Sequence, residues 1–318
     1  MSILFIGFDY FGYTSAIDDE FGRMGFESCF HDIQPRTLNF KVMRRLNAKL
    51  YQAALDNYHK SIIDSYDRGV FDHVIFLQVH QMSNANMVHL RSRQRNATFT
   101  LYNWDAVATH DYRPYLKYFD RAFTFDPQDA EALGINYLPL FATNRYHNID
   151  RNRYEPTSVY FIGNIVNPER YRVVRAFEAF CAEHGLQFDF FMSTTIHGWS
   201  EMRRNGIRPK DVSLRHLPTD RQDEWIARSA AVFDFANHAQ SGFTMRVMEN
   251  LCAGKKIITN NHNVKNAPFY SEDRFLIYNE TDFSAVPDFL AQPLYEPEAS
   301  FSEYQVSNFA ARLIGIQR

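Results

Sequence analysis

The sequence predicts an α/β protein built from two doubly wound, parallel-sheet domains that face each other across a cleft. Three observations predict it. Short apolar runs alternate with helix-period stretches along most of the chain. The alternation stops once, in the polar, aperiodic stretch 142–158, and then restarts. The chain has 318 residues, which suits two domains of about 150 better than one. The boundaries expected are 1–148, 149–300 and a helical tail, 301–318, able to cross back to the first domain.

The elements follow in order. "ILFIGF" (3–8) is a first strand, leading through Gly12 into a helical stretch at 15–24. A long helical stretch spans roughly 37–67. "HVIFLQVH" (73–80) is apolar on both faces, as a buried parallel strand is. Strands at 96–104, 121–126 and 136–141 follow, with short helices at 86–94 and 127–134 between them; Pro127 and Gly134 bracket the latter. After the polar stretch, "SVYFIGN" (158–164) is a strand running into a Gly loop. The next helix, 168–185, has Pro168 near its start and Gly185 after its end. Strands are expected at 187–192, 212–217, 230–236 and 255–260, and helices at 220–229, 244–253 and 301–316.

Composition narrows the function. Hydrophobic residues make up 45% and aromatics 16%, enough for two cores. The net charge of −3 gives no basic field for nucleic acid. Three dispersed cysteines, Cys29, Cys181 and Cys252, suit a reducing compartment and have no metal-ligand spacing. "MSILFIGFDY" reads as a strand and not a signal peptide, and no run approaches the roughly 18 apolar residues of a membrane span. A cytoplasmic protein is the expectation.

Two stretches look built for an anion. In "AQSGFTMRVMENLCAGKKIITNN" (239–261), Gly242 permits close backbone approach, and the helix that follows offers its N-terminal amides. Ser241 and Thr244 supply hydroxyls, Arg246 and Lys255 charge, and Glu249 two acceptors suited to a ribose. An ordinary helix with an i,i+3 ion pair and a Gly C-cap gives the same pattern. In "YFIGNIVNPERYRVV", Gly163 and Arg170 repeat the strand–loop–helix cradle; a plain βα turn is the alternative. In the N-terminal half, Asp105 follows a strand in "YNWDAVATHDYRP", where a loop carboxylate reaches a cleft and can take a proton from an acceptor hydroxyl. Asp9 and His80, also after strands, compete for that role, and helix capping is the other reading of Asp105. The segment 34–54 carries five basic residues, no acidic one and an apolar stripe. That suits an anionic membrane surface, or equally a core-packed helix with a solvated basic face.

These stretches resemble the donor-binding motif of GT-B glycosyltransferases. Glu249, "CAGKK" and "IITNN" match it in place, and upstream "YNWD", "KYFD", "TFD" and "YLPLF" resemble bacterial lipopolysaccharide and polysaccharide biosynthesis transferases. Ser241 stands where the pattern has its first carboxylate, so neither donor identity nor a retaining mechanism carries over. The resemblance implies two Rossmann-like domains. It also implies a nucleotide-sugar donor held by the C-terminal one, with Gly163 facing the diphosphate and His216 and Leu217 packing the base. A glycan or glycolipid acceptor of lipopolysaccharide or capsule type, on the N-terminal domain, is implied as well. Neither metal nor cofactor is expected, because helix ends, Arg246 and Lys255 neutralise the leaving diphosphate. The competing functions are a non-catalytic nucleotide-sugar sensor and another nucleotide-sugar enzyme, such as an epimerase.

Overall fold

The computed structural model describes residues 1–8, 10, 12–151, 154–165, 167–236, 241–295 and 301–316. Two compact units divide the chain: Met1–Thr143 with Ala239–Phe243 and Glu303–Arg318, and Asn144–His238 with Thr244–Ser302.

The first unit runs β1 (Ser2–Gly7), α1 (Tyr13–Arg23), β2 (Glu27–Asp32), α2 (Leu38–Leu46), α3 (Ala48–Asp64), β3 (His73–Leu77), α4 (Asn84–Arg93), β4 (Thr98–Asn103), β5 (Arg121–Thr124), α5 (Pro127–Leu133) and β6 (Asn136–Tyr137). Its sheet is parallel, in the order β2-β1-β3-β4-β5-β6. The order reverses between β1 and β3, so loops at their carboxyl ends diverge and leave a crevice. Local chemistry sets the ends of α5. Asp126 caps it through the amides of Gln128 and Asp129, Pro127 fills its first position, and Gly134 closes it at φ 63°.

The second unit runs α6 (Asn144–His147), β7 (Glu155–Asn164), α7 (Pro168–Glu183), β8 (Gln187–Ser193), α8 (Ile196–Arg204), β9 (Val212–Ser213), α9 (Thr219–Arg228), β10 (Ser229–Asp234), α10 (Met245–Cys252), β11 (Lys256–Thr259), β12 (Phe275–Ile277) and α11 (Val286–Ala291). Its sheet is also parallel, β12-β11-β10-β7-β8-β9, with its switch point between β7 and β10. Aromatic rings fill the core: Phe177 stacks on Phe233 at 4.1 Å, and Phe233 on Tyr278 at 5.1 Å. The last helix, α12 (Val306–Ile314), belongs to the first unit. Phe309 packs on Tyr102 and Phe141 there, and Ala142 forms a bridge with Gln305.

Two α/β units with doubly wound sheets are thus present, and the local differences have physical reasons. The helical stretch at 37–67 is two helices, because Asn47 leaves the helical region and caps α3 with its side chain. The strand at 212–217 is only two residues long, and His216 lies beyond it. β2 is an additional strand; "ESCFHD" lacks an apolar run because it sits at the sheet edge, half-buried. The polar stretch at 142–158 contains α6 and the start of β7.

Candidate functional site

In the second unit the switch point is occupied by arginine. Asp234 ends β10 with no exposed surface, and Arg246, two residues into α10, donates to its Oδ1 at 2.9 Å. Thr259 at the end of β11 donates to Oδ2 at 2.9 Å. The second terminal nitrogen of Arg246 donates to the Ile162 carbonyl at 2.7 Å. Gly163 makes that approach possible: a Cβ there would stand 3.1 Å from the guanidinium and 2.6 Å from the Phe161 ring. Arg170, in the first turn of α7, ties the same two strand ends together, donating to the carbonyls of Asn164 (2.8 Å) and Phe235 (3.2 Å). Burial and the neighbouring Arg246 pull its pKa down to about 10. Each guanidinium has five N–H donors, so both keep capacity for an anion. Two buried groups here have no hydrogen-bond partner among the described residues: Arg170 Nε and Thr244 Oγ1, at the N-terminal boundary of α10. Glu249 lies one turn beyond Arg246 and is 7% exposed.

The structure gives the other residues expected at the donor site the following positions and partners. Lys255 immediately precedes β11, so it lies at the amino end of the sheet, away from the arginines; its ammonium donates to the Ala227 carbonyl at 2.9 Å. Ser241 and Gly242 are not open to a ligand. The Asp126 carboxylate accepts from the Ser241 amide (2.9 Å), the Ser241 hydroxyl and the Gly242 amide (3.3 Å). The missing Cβ of Gly242 makes room for protein, since a Cβ would stand 2.5 Å from the Phe125 ring. Burial alone would raise the Asp126 pKa, but the hydrogen bonds from Ser241 and the α5 amides hold it below the ordinary value. His216 is exposed in the loop after β9, and the Leu217 carbonyl accepts from Gln222 at 2.7 Å.

The crevice of the first unit gathers Asp105, His80, His110 and Gln78. Gln78 follows β3 at φ 66° and is buried, a backbone state that needs support from its surroundings. Its amide donates to Asp105 Oδ2. His110 Nε2 lies 3.8 Å from the same oxygen, and its ring stacks on His80 at 3.9 Å. Burial raises the Asp105 pKa against the opposing effects of His110 and the Gln78 hydrogen bond. His80, half-buried and beside His110, is held down at about 4 by desolvation and by that neighbour, which favours its neutral form. A partly buried carboxylate with a raised pKa, steered by one amide, can act as a general base near neutrality. Asp9 lies outside the described residues. Asp234, Asp126, Gln78 and His110 were not singled out as site residues from sequence; Asp126 does fall within "TFD", a stretch that carried the family resemblance.

No protein-family model matches the sequence, and no curated protein is similar to it in sequence. Solved structures are similar in fold. An alpha-glucosyltransferase in complex with UDP and a mismatch-containing 13-mer DNA aligns with 99% of this chain and 93% of its own, at 12% identity and a TM-score of 0.63. The apo form of the lipopolysaccharide outer core galactosyltransferase WaaB aligns over 99% and 94% at 14% identity, TM-score 0.52. A Listeria monocytogenes protein assigned as a UDP-N-acetylglucosamine 2-epimerase aligns over 98% and 94% at 11% identity, TM-score 0.53. The chain therefore has the two-unit α/β architecture of the GT-B glycosyltransferases.

Proposed function

We propose that the protein is a glycosyltransferase that takes a sugar from a nucleotide-sugar donor without a metal ion. The convergence of Arg170 and Arg246 at the β7/β10 switch point carries the reading. Such guanidiniums, fixed by backbone carbonyls and a buried carboxylate, need little reorganisation as charge develops on a leaving diphosphate. Asp105 takes the proton of the acceptor hydroxyl, the general base that an inverting transfer needs. The UDP bound to the alpha-glucosyltransferase supports a nucleoside diphosphate as the common ligand. A thermal-shift series with UDP, GDP, CMP and dTDP tests it. At least one should stabilise the fold, by about 2.7 kcal/mol at 100 times its Kd; indifference to all four would contradict it. The fold is shared with an epimerase-type protein, and the discriminating result is sugar transfer to an added acceptor against interconversion of the free nucleotide-sugar.

The acceptor we favour is a surface glycan of lipopolysaccharide or capsule type, met by a cytoplasmic protein at the membrane face. The exposure of α2 and the start of α3 supports this. Leu38, Val42 and Leu46 fall within one arc of α2 and are 75%, 45% and 80% exposed; Leu50 follows at 60%. Arg45 and Lys49 beside them are also exposed. An apolar ridge flanked by cations suits an anionic bilayer surface. Vesicles containing phosphatidylglycerol should sediment with the protein and release it when Leu38 and Leu46 are both changed to Glu. Equal sedimentation with neutral phosphatidylcholine vesicles, or no loss in the double variant, would count against the contact.

A further inference from the structure

The first unit holds a cavity of about 150 Å³, roughly the size that accommodates one six-membered ring. Four aromatic side chains, Phe8, Tyr10, Phe40 and Tyr51, and two arginines, Arg36 and Arg44, line it. The rings are braced: Phe8 stacks on Tyr10 at 5.3 Å, Phe40 meets Tyr51 edge-on at 6.2 Å, and the Tyr51 hydroxyl accepts from Gln34. Arg36 is paired with Asp32 at 2.9 Å. Arg44 has no hydrogen-bond or ion-pair partner among the described residues. The helical repeat puts positions 40 and 44 on one face of α2, and the long Arg44 side chain also borders a second cavity lined by Leu38, Val42 and Arg45. Two of the lining rings lie near neighbours of the candidate base. The Tyr10 ring lies 6.2 Å from that of Trp104, the residue before Asp105, and the Phe8 ring lies 6.0 Å from His80.

Aromatic walls offer flat faces to the C–H surface of a sugar ring, and an unpaired guanidinium offers a fork to a carboxylate or phosphate. We propose that this cavity receives the acceptor sugar and that the acceptor is anionic, a pyranose bearing a carboxylate or a phosphate held by Arg44. This rests on the glycosyltransferase reading, because Asp105 is taken as the group that deprotonates the hydroxyl. It adds an acceptor class to that reading, and it names Arg44 as a specificity residue.

Calorimetric titration with glucuronate, glucose 6-phosphate, glucose and inorganic phosphate tests it. At least one anionic sugar should bind about 10-fold or more tightly than glucose and than inorganic phosphate, and the tighter of the two identifies the anion. Arg44→Ala should reduce that affinity at least 5-fold, and Arg44→Lys should restore part of it. Arg44 is exposed, so neither change threatens the fold, and UDP affinity should not move in either variant. Equal binding of glucose and both anionic sugars, equal binding of inorganic phosphate, or an unchanged Arg44→Ala protein would overturn the proposal. If the wild-type protein binds no nucleoside diphosphate, the transferase reading fails instead, whatever the sugars do.

Discussion

Replacing Asp105 by Asn is expected to lower glycosyl transfer by about 10²- to 10⁴-fold, the range a general base supplies, while UDP binds as before. Asn is isosteric and keeps a carbonyl oxygen that accepts from Gln78, so the crevice is retained and only the proton acceptor is lost. The pH profile should carry the same signature. The ionised carboxylate is the active form, and burial raises its pKa. Activity should therefore fall as pH drops through that raised value, with the acid limb displaced upward from that of an ordinary aspartate. In Asp105→Asn that limb should vanish from the residual rate. Transfer at the wild-type rate by Asp105→Asn would move the base elsewhere or make the mechanism a retaining one.

Replacing Arg246 by Met should cost about 3–5 kcal/mol of stability, the usual cost of removing one partner from a buried ion pair. Asp234 has no exposed surface, and the Arg246 side chain is 19% exposed. Without the guanidinium, the carboxylate keeps Thr259 but loses its cation, and the Ile162 carbonyl loses a donor. The double change Asp234→Asn with Arg246→Met should recover part of the loss, since it removes the orphaned charge. Denaturant unfolding of the two single variants and the double variant gives the coupling directly. A single-variant loss below about 1 kcal/mol would mean that the pair is solvated and does not organise the switch point.

What the sequence disclosed follows its physics. Strands with continuous apolar runs, β1, β3, β4, β10 and β11, were legible because both faces are buried. The edge strand β2 was not, since one side of it is unpaired and its residues lack a run; the edge strand β9 was expected at 212–217, but only its first two residues are strand. Arg170 and Arg246 could be placed in one site because each opens a helix that follows a strand of the same sheet. The position of Lys255 was also readable in principle: a residue just before a strand lies at the sheet's amino end. Asp234 was hidden, because nothing local marks a carboxylate at the end of an apolar strand as buried and paired. The close packing of Gly242 against Phe125 was hidden for another reason. A glycine that makes room for ligand and one that makes room for protein look alike until the neighbour, here more than 100 residues away in sequence, is known.

The central claim is that the two arginines at the β7/β10 switch point hold a nucleoside diphosphate. Calorimetric titration of UDP into the wild-type protein and Arg170→Ala tests it most directly. Arg170 donates to two backbone carbonyls and forms no ion pair among the described residues, so its removal should cost less stability than that of Arg246, and denaturant unfolding of the variant checks that it is folded. The account predicts saturable binding to the wild type and at least a 10-fold weaker Kd in the variant, the loss of about one charge-assisted contact. Equal affinity in the two proteins would place the diphosphate away from these arginines and contradict the account.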